Sequence, residues 1–152
     1  MAYTANKLMA SALRKLVDFD PDAATAVVVD LVPGAAAKGF LLAEYCFQSF
    51  LLGVMRSVGT GGITLIEIIT ADASDMTGNV TAIKTLAATT TDAVGDTAWL
   101  ECTGEEVAAT KAATNLYIGA RITLVTNTDE CVVYFEAAAG RKADGLTAAY
   151  IA

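Results

Sequence analysis

Tyr117-Ile118-Gly119-Ala120-Arg121-Ile122-Thr123-Leu124-Val125-Thr126, then Asn127-Thr128-Asp129-Glu130, then Cys131-Val132-Val133-Tyr134-Phe135-Glu136 is the stretch that decides the fold class. Ile118, Ala120, Ile122 and Leu124 recur at every second position, with Arg121 and Thr123 between them. Strand side chains point alternately to opposite faces, so this period-two pattern is a β signature. Four polar residues then interrupt the apolar run before it resumes. The spacing predicts a hairpin with a four-residue loop, forming core scaffold.

Working outward, further β-like runs appear on the N-terminal side. Ala26–Val32 is β-branched and ends at Pro33-Gly34, a turn pair. Phe40–Val58 is too long for one ordinary strand and should divide near Gln48-Ser49 or at Gly53. Ile63–Thr70 is apolar on both faces, which suits burial between two sheets or against a neighbouring subunit. Val80–Leu86 and Thr97–Thr103, the latter holding Trp99, complete the strand set, with a threonine- and alanine-rich loop over 87–96. Two helices are expected. Residues 4–17 place Leu8, Met9, Ala12, Leu13, Leu16 and Val17 at three- and four-residue spacing, with Thr4 as cap. Gly104–Ala113 opens with Glu105 and Glu106, where the helix dipole favours acids. The expected architecture is mainly β: a β-sandwich or jelly-roll-like barrel with an N-terminal helix and one short inserted helix. Residues 1–20 form a helical arm and residues 21–152 a single β-rich domain in this reading.

Composition narrows the function classes. The 152 residues carry a net charge of −7 and are 55% hydrophobic; mean hydropathy is +0.50 and the pI about 4.4. The ten basic residues are scattered, which argues against nucleic acid, because phosphate neutralisation needs clustered Lys and Arg. The one membrane candidate, Phe40–Met55, carries Glu44 and Gln48 and is shorter than the ~20 residues a span needs. Met1–Lys7 lacks a basic region followed by an apolar run, so no secretory signal is expected. Cys46, Cys102 and Cys131 are widely spaced and read as small buried hydrophobes.

Candidate chemistry is thin. The chain has no histidine, which excludes a Ser-His-Asp triad. Gly59-Thr60-Gly61-Gly62 opens a strand rather than a helix, so it reads as a turn and not a phosphate loop. Asp18, Asp20 and Asp22 have the spacing that begins a calcium loop, but Ala23 and Val29 stand where glycine and glutamate belong. Glu44, Glu67, Glu101 and Glu136 each sit in an apolar strand and are read as edge or outward positions. Trp99 and the tyrosines are too dispersed in sequence for a stacking platform and read as core or interface anchors. No catalytic, cofactor or metal residue is assigned. The candidate interface residues are Leu8, Leu13 and Leu16 on the helix, as an inter-subunit clasp, together with Phe50.

One resemblance adds to this. The order of Ala71-Asp72-Ala73-Ser74-Asp75-Met76-Thr77-Gly78, Ala82-Ile83-Lys84-Thr85-Leu86, a strand ending in Glu101, Thr103-Gly104-Glu105-Glu106-Val107 and Tyr117–Thr123 resembles small structural proteins from the head-gene clusters of tailed bacteriophages, over residues 24–141. Some of these decorate or cement the capsid. The resemblance implies a non-enzymatic virion protein that forms a homo-oligomer, for example a trimer. Its partners would be the major capsid protein or other virion proteins, with no cofactor, nucleic acid or membrane. It would be made in the host cytoplasm and reside in the virion. A tail, head-completion or fibre-base subunit, or a β-sandwich binding module, are the alternatives.

Overall fold

The computed structural model describes residues 13–44, 48–87, 93–139 and 149–151. Ten strands and one α-helix occur among them: β1 (Leu13–Phe19), β2 (Ala26–Val28), β3 (Phe40–Leu41), β4 (Gln48–Val58), β5 (Ile63–Ala71), β6 (Thr81–Leu86), β7 (Thr97–Thr103), α1 (Gly104–Thr110), β8 (Tyr117–Leu124), β9 (Glu130–Ala139) and β10 (Ala149–Ile151). They form two antiparallel sheets. Sheet A has the order β1-β9-β4-β7-β10; sheet B has the order β2-β8-β5-β6, with β3 also paired to β8. The mainly β sandwich expected from the sequence is the architecture found, including the short inserted helix. Phe40–Val58 divides at Gln48, with a 3-10 turn over Leu42–Glu44 before it.

The expected hairpin does not form. β8 belongs to sheet B and β9 to sheet A, so residues 125–129 bridge the two sheets as an arch. Ile118, Ala120, Ile122 and Leu124 from β8 face Cys131, Val133, Phe135 and Ala137 from β9 across the same core. Alternation establishes which side chains face inward. It does not say whether two inward faces lie side by side in one sheet or opposite each other in two. Burial of a larger joint apolar area favours the second arrangement.

The expected helix over 4–17 is also overturned for the residues described. Leu13–Phe19 is a strand, paired antiparallel to β9 along its whole length, from Leu13 opposite Ala137 to Phe19 opposite Cys131. Leu13 and Val17 pack on the core, and Phe19 is buried. Residues 13–19 are therefore an integral edge of sheet A and not part of a separate arm. Val17 and Phe19 are β formers, and a strand there closes the side of the core that β9 leaves open. Residues 4–12, with Leu8, lie outside the described residues.

Both faces of β5 are covered, as its composition implies. Ile66 and Ile68 enter the main core. Ile69 and Ala71 face the other way and pack with Met76, from the loop that follows β5, in a second small cluster. Ser74 holds that loop down by accepting backbone bonds from Lys38 (2.8 Å) and Gly39 (3.1 Å). Cys102 and Cys131 are free and buried, and burial pushes both thiols up to about 12. α1 starts with a capping box: the Glu106 amide donates to Thr103 Oγ1 (3.2 Å) and the Thr103 amide to Glu106 Oε2 (2.7 Å). Lys84 Nζ also reaches Glu106 Oε1 at 2.7 Å, tying the helix to β6.

A second arch, over residues 59–62, carries the chain from β4 to β5, again between sheets. The two arches are clamped by Asp129, which has 0% exposure. Its Oδ1 accepts from the Gly61 amide and its Oδ2 from the Thr126 amide, both at 2.9 Å. Arg56, also buried, donates to the Gly59 carbonyl and stands 4.0 Å from Asp129 Oδ1. Gly59 has φ +106, and a Cβ there would overlap the Asp129 carboxylate. Residues 59–62 thus form a turn that opens a strand, and the turn is pinned on a buried charge. Burial raises the Asp129 pKa, but the two amides, the Thr126 hydroxyl and the Arg56 charge outweigh it, and the net shift is downward. A depressed carboxylate contributes stability above its unfolded value, and loses it as pH falls through the folded value. Asp129→Ala should therefore cost about 3 kcal/mol at neutral pH. It should also flatten the loss of stability between about pH 5 and about pH 2. Urea unfolding of both proteins across that range checks this; equal acid dependence in the two would refute it.

Candidate interaction surface

The two sheets differ in what covers their outer faces. On sheet B, the Met76 loop lies over Ile69, Ala71 and Tyr117. Beside it, the Arg121 guanidinium donates two hydrogen bonds to Glu67, Nε to Oε2 at 2.5 Å and Nη2 to Oε1 at 3.0 Å. Glu67 was read as an edge or outward position. It does project from the outer face, but it is buried there. The hydrogen bonds that Arg121 donates to Glu67 hold the Arg121 pKa above its usual value despite desolvation.

Sheet A carries a row of apolar and aromatic residues on its outer face. Strand register aligns Leu16 with Tyr134, Tyr134 with Gly53, and Gly53 with Trp99 across four of the five strands. Trp99 and Tyr134 meet edge-on, with ring centroids 6.3 Å apart and planes at 63°. Glycine at position 53 makes this possible, since a Cβ there would overlap the Trp99 ring. Flanking rows add Met55 beside Val132 and Leu51 beside Glu136. Leu16 is 73% exposed and Met55 40%. Polar groups rim the row. Arg14 Nε lies 3.4 Å from Glu136 Oε1, and the Tyr134 hydroxyl donates to Glu136 Oε2 at 2.5 Å. Burial and the neighbouring Glu136 charge raise the Tyr134 pKa, so the phenol stays protonated.

The sequence-assigned residues fall in different places. Leu16 lies on this face at its β1 edge. Leu13 turns the other way and packs on the core. Phe50, 1% exposed, is a core residue whose ring lies 6.3 Å from that of Phe135, so in this fold it presents no surface to a partner. Leu8 lies outside the described residues. Sequence reading missed Trp99, Tyr134 and Met55 as neighbours. They lie on three different strands, and only cross-strand register joins them. No group of three or more metal-binding side chains converges among the described residues, and Asp18, Asp20 and Asp22 are not brought together. No described helix is long and apolar enough to cross a membrane.

No family model matches the chain, and no curated protein matches it. Among solved structures, it is similar at 15% identity and a TM-score of 0.40 to a chain from a study of Bacillus endospore appendages, described as disulfide-linked pili; the match covers 85% of this chain and 88% of that one. A likeness at this level assigns neither fold family nor activity.

The sequence holds a single tryptophan, so its fluorescence reports on the row directly. Gly53→Ala should push the Trp99 ring off the sheet, shift its emission to the red and destabilise the fold by about 1–3 kcal/mol. Emission spectra and thermal melts check this; an unshifted spectrum would show that the ring does not rest on Gly53.

Proposed function

We propose that this chain is a non-enzymatic structural subunit of a phage virion, decorating or cementing the capsid through symmetry-repeated contacts. The observation that carries the reading is the outer face of sheet A. A rigid sandwich displays Leu16, Tyr134, Trp99 and Met55 on one face, where the opposite sheet covers its own apolar residues with a loop. An apolar row rimmed by charge is the anatomy of a protein-binding patch. A cement subunit performs no chemistry. It binds the assembled shell and not the free parts, and so stabilises the shell by mass action. Many weak, repeated contacts supply avidity that no single contact has.

The same row favours one other reading. Trp99 and Tyr134, set edge-on over a glycine, would also suit a binding module that grips a flat or sugar-like ligand as a monomer. Particles separate the two. Immunogold labelling of purified virions from the source, with an antibody to this chain, should decorate the shell at regular spacing. Met55→Asp should fold with an unchanged melting temperature, since the side chain is exposed, and yet lose at least about tenfold in particle occupancy. Virions without label would sink the capsid reading, and equal occupancy by the variant would sink the role of this face.

A further inference from the structure

β1 is the longest regular free edge of the sandwich. Among the described residues it pairs with β9 alone, without a bulge, over seven residues. The other edges are less suited to pairing. β2 and β3 have three and two residues, and β10 has three. β6 carries a register shift against β5, and its Lys84 is engaged by Glu106 on α1. An edge strand presents unpaired backbone donors and acceptors, which a further strand satisfies.

The side chains of β1 specify which strand. Its outer face reads Arg14, Leu16, Asp18: a cation, an exposed apolar residue and an anion, all three exposed. Leu16 is the centre of the strand. An antiparallel copy of the same strand, centred on Leu16, places Leu16 opposite Leu16, Arg14 opposite Asp18 and Asp18 opposite Arg14. On the inner face it places Leu13 opposite Phe19 and Lys15 opposite Val17. Both outer charges meet their opposite, and the half-buried Leu13 and Val17 gain apolar cover from Phe19 and the Lys15 stem. Lys15 does not block the approach, because its ammonium turns inward over the Phe40 ring at 6.0 Å. A parallel copy would set Arg14 against Arg14 and Asp18 against Asp18, which like-charge repulsion disfavours.

We propose that two copies of this chain associate through β1, antiparallel about a two-fold axis at Leu16, and so join two A sheets into one continuous sheet. The interface is isologous, the same strand serving both sides. The seam also doubles the outer row: Trp99, Tyr134 and Leu16 of one copy run on into Leu16, Tyr134 and Trp99 of the other. The seam stands on the geometry of β1 alone and does not depend on the capsid reading.

Sedimentation velocity of the full chain over a concentration series tests it. The wild type should show a reversible monomer–dimer equilibrium that weakens with salt, because exposed charge pairs are screened. Asp18→Arg and Arg14→Asp, each alone, create like-charge pairs across the seam and should weaken dimerisation by at least about tenfold. The double variant Arg14→Asp with Asp18→Arg restores complementarity and should recover the wild-type constant to within about threefold. Leu16→Cys in a Cys46→Ala background should cross-link to a covalent dimer under mild oxidation, since directly opposed Cβ atoms lie within about 5.5 Å. A wild type that stays monomeric to about 1 mM would overturn the proposal. So would single reversals that dimerise as the wild type does, a double variant no better than either single, or a Leu16→Cys protein that does not cross-link. Particle labelling asks a separate question, so either proposal can fail while the other stands.

Discussion

A buried carboxylate holds the two sheets in register. Asp129 ends the β8–β9 arch and reaches across to the β4–β5 arch, accepting an amide from each. Both arches change sheets, and they meet at this carboxylate. Val125 adds a backbone bond to the Gly62 carbonyl at 3.0 Å, and Arg56 covers the same corner. A buried charge is tolerated only when its lone pairs are satisfied. Here the partners are fixed backbone amides, and the glycines at 59 and 61 let the backbone come close enough to supply them.

From that corner the strands run out into two faces with opposite fates. Sheet B is sealed on both sides: Ile66 and Ile68 point to the core, and Ile69 lies under Met76. Beside it the Glu67–Arg121 pair makes a bidentate contact on the outer face. Sheet A is sealed on one side. Among the described residues its outer row, built on the flat backbone of Gly53, has no such loop, and β1 has no strand beyond it. An apolar protein with a charge of −7 can stay in solution with such a face because its copies repel at long range. At contact, the pattern on β1 replaces that repulsion with a local match.

Much of the fold was legible in the chain. β7 was read with its exact limits, and β5, β6 and β8 nearly so, because alternation and β-branched runs report burial directly. The helix at Gly104 was legible from Glu105 and Glu106 in its first turn, where the dipole favours acids, although it ends at Thr110 and not Ala113; the Thr103–Glu106 capping box that starts it emerged only from the structure. Residues 13–17 misled because Leu13, Leu16 and Val17 continue the three- and four-residue spacing begun at Leu8 and Met9, whereas in the strand Leu13 and Val17 face inward and Leu16 faces outward. Pairing with β9 settled it. The candidate surface was barely legible. Trp99, Tyr134, Met55 and Leu16 come from four strands, and their proximity depends on register.

The sequence by itself determined that this is a mainly β protein, which residues face inward along most strands, and that histidine chemistry is excluded, because these follow from local pattern and composition. Tertiary structure alone decided that Tyr117–Glu136 is an arch and not a hairpin, that β1 is an edge strand, and that one face keeps an apolar row. The physical reason is the same in each case. Alternation fixes the side on which a side chain lies, whereas the neighbour it meets is chosen by burying the most apolar surface while every backbone group, including those around Asp129, finds a partner.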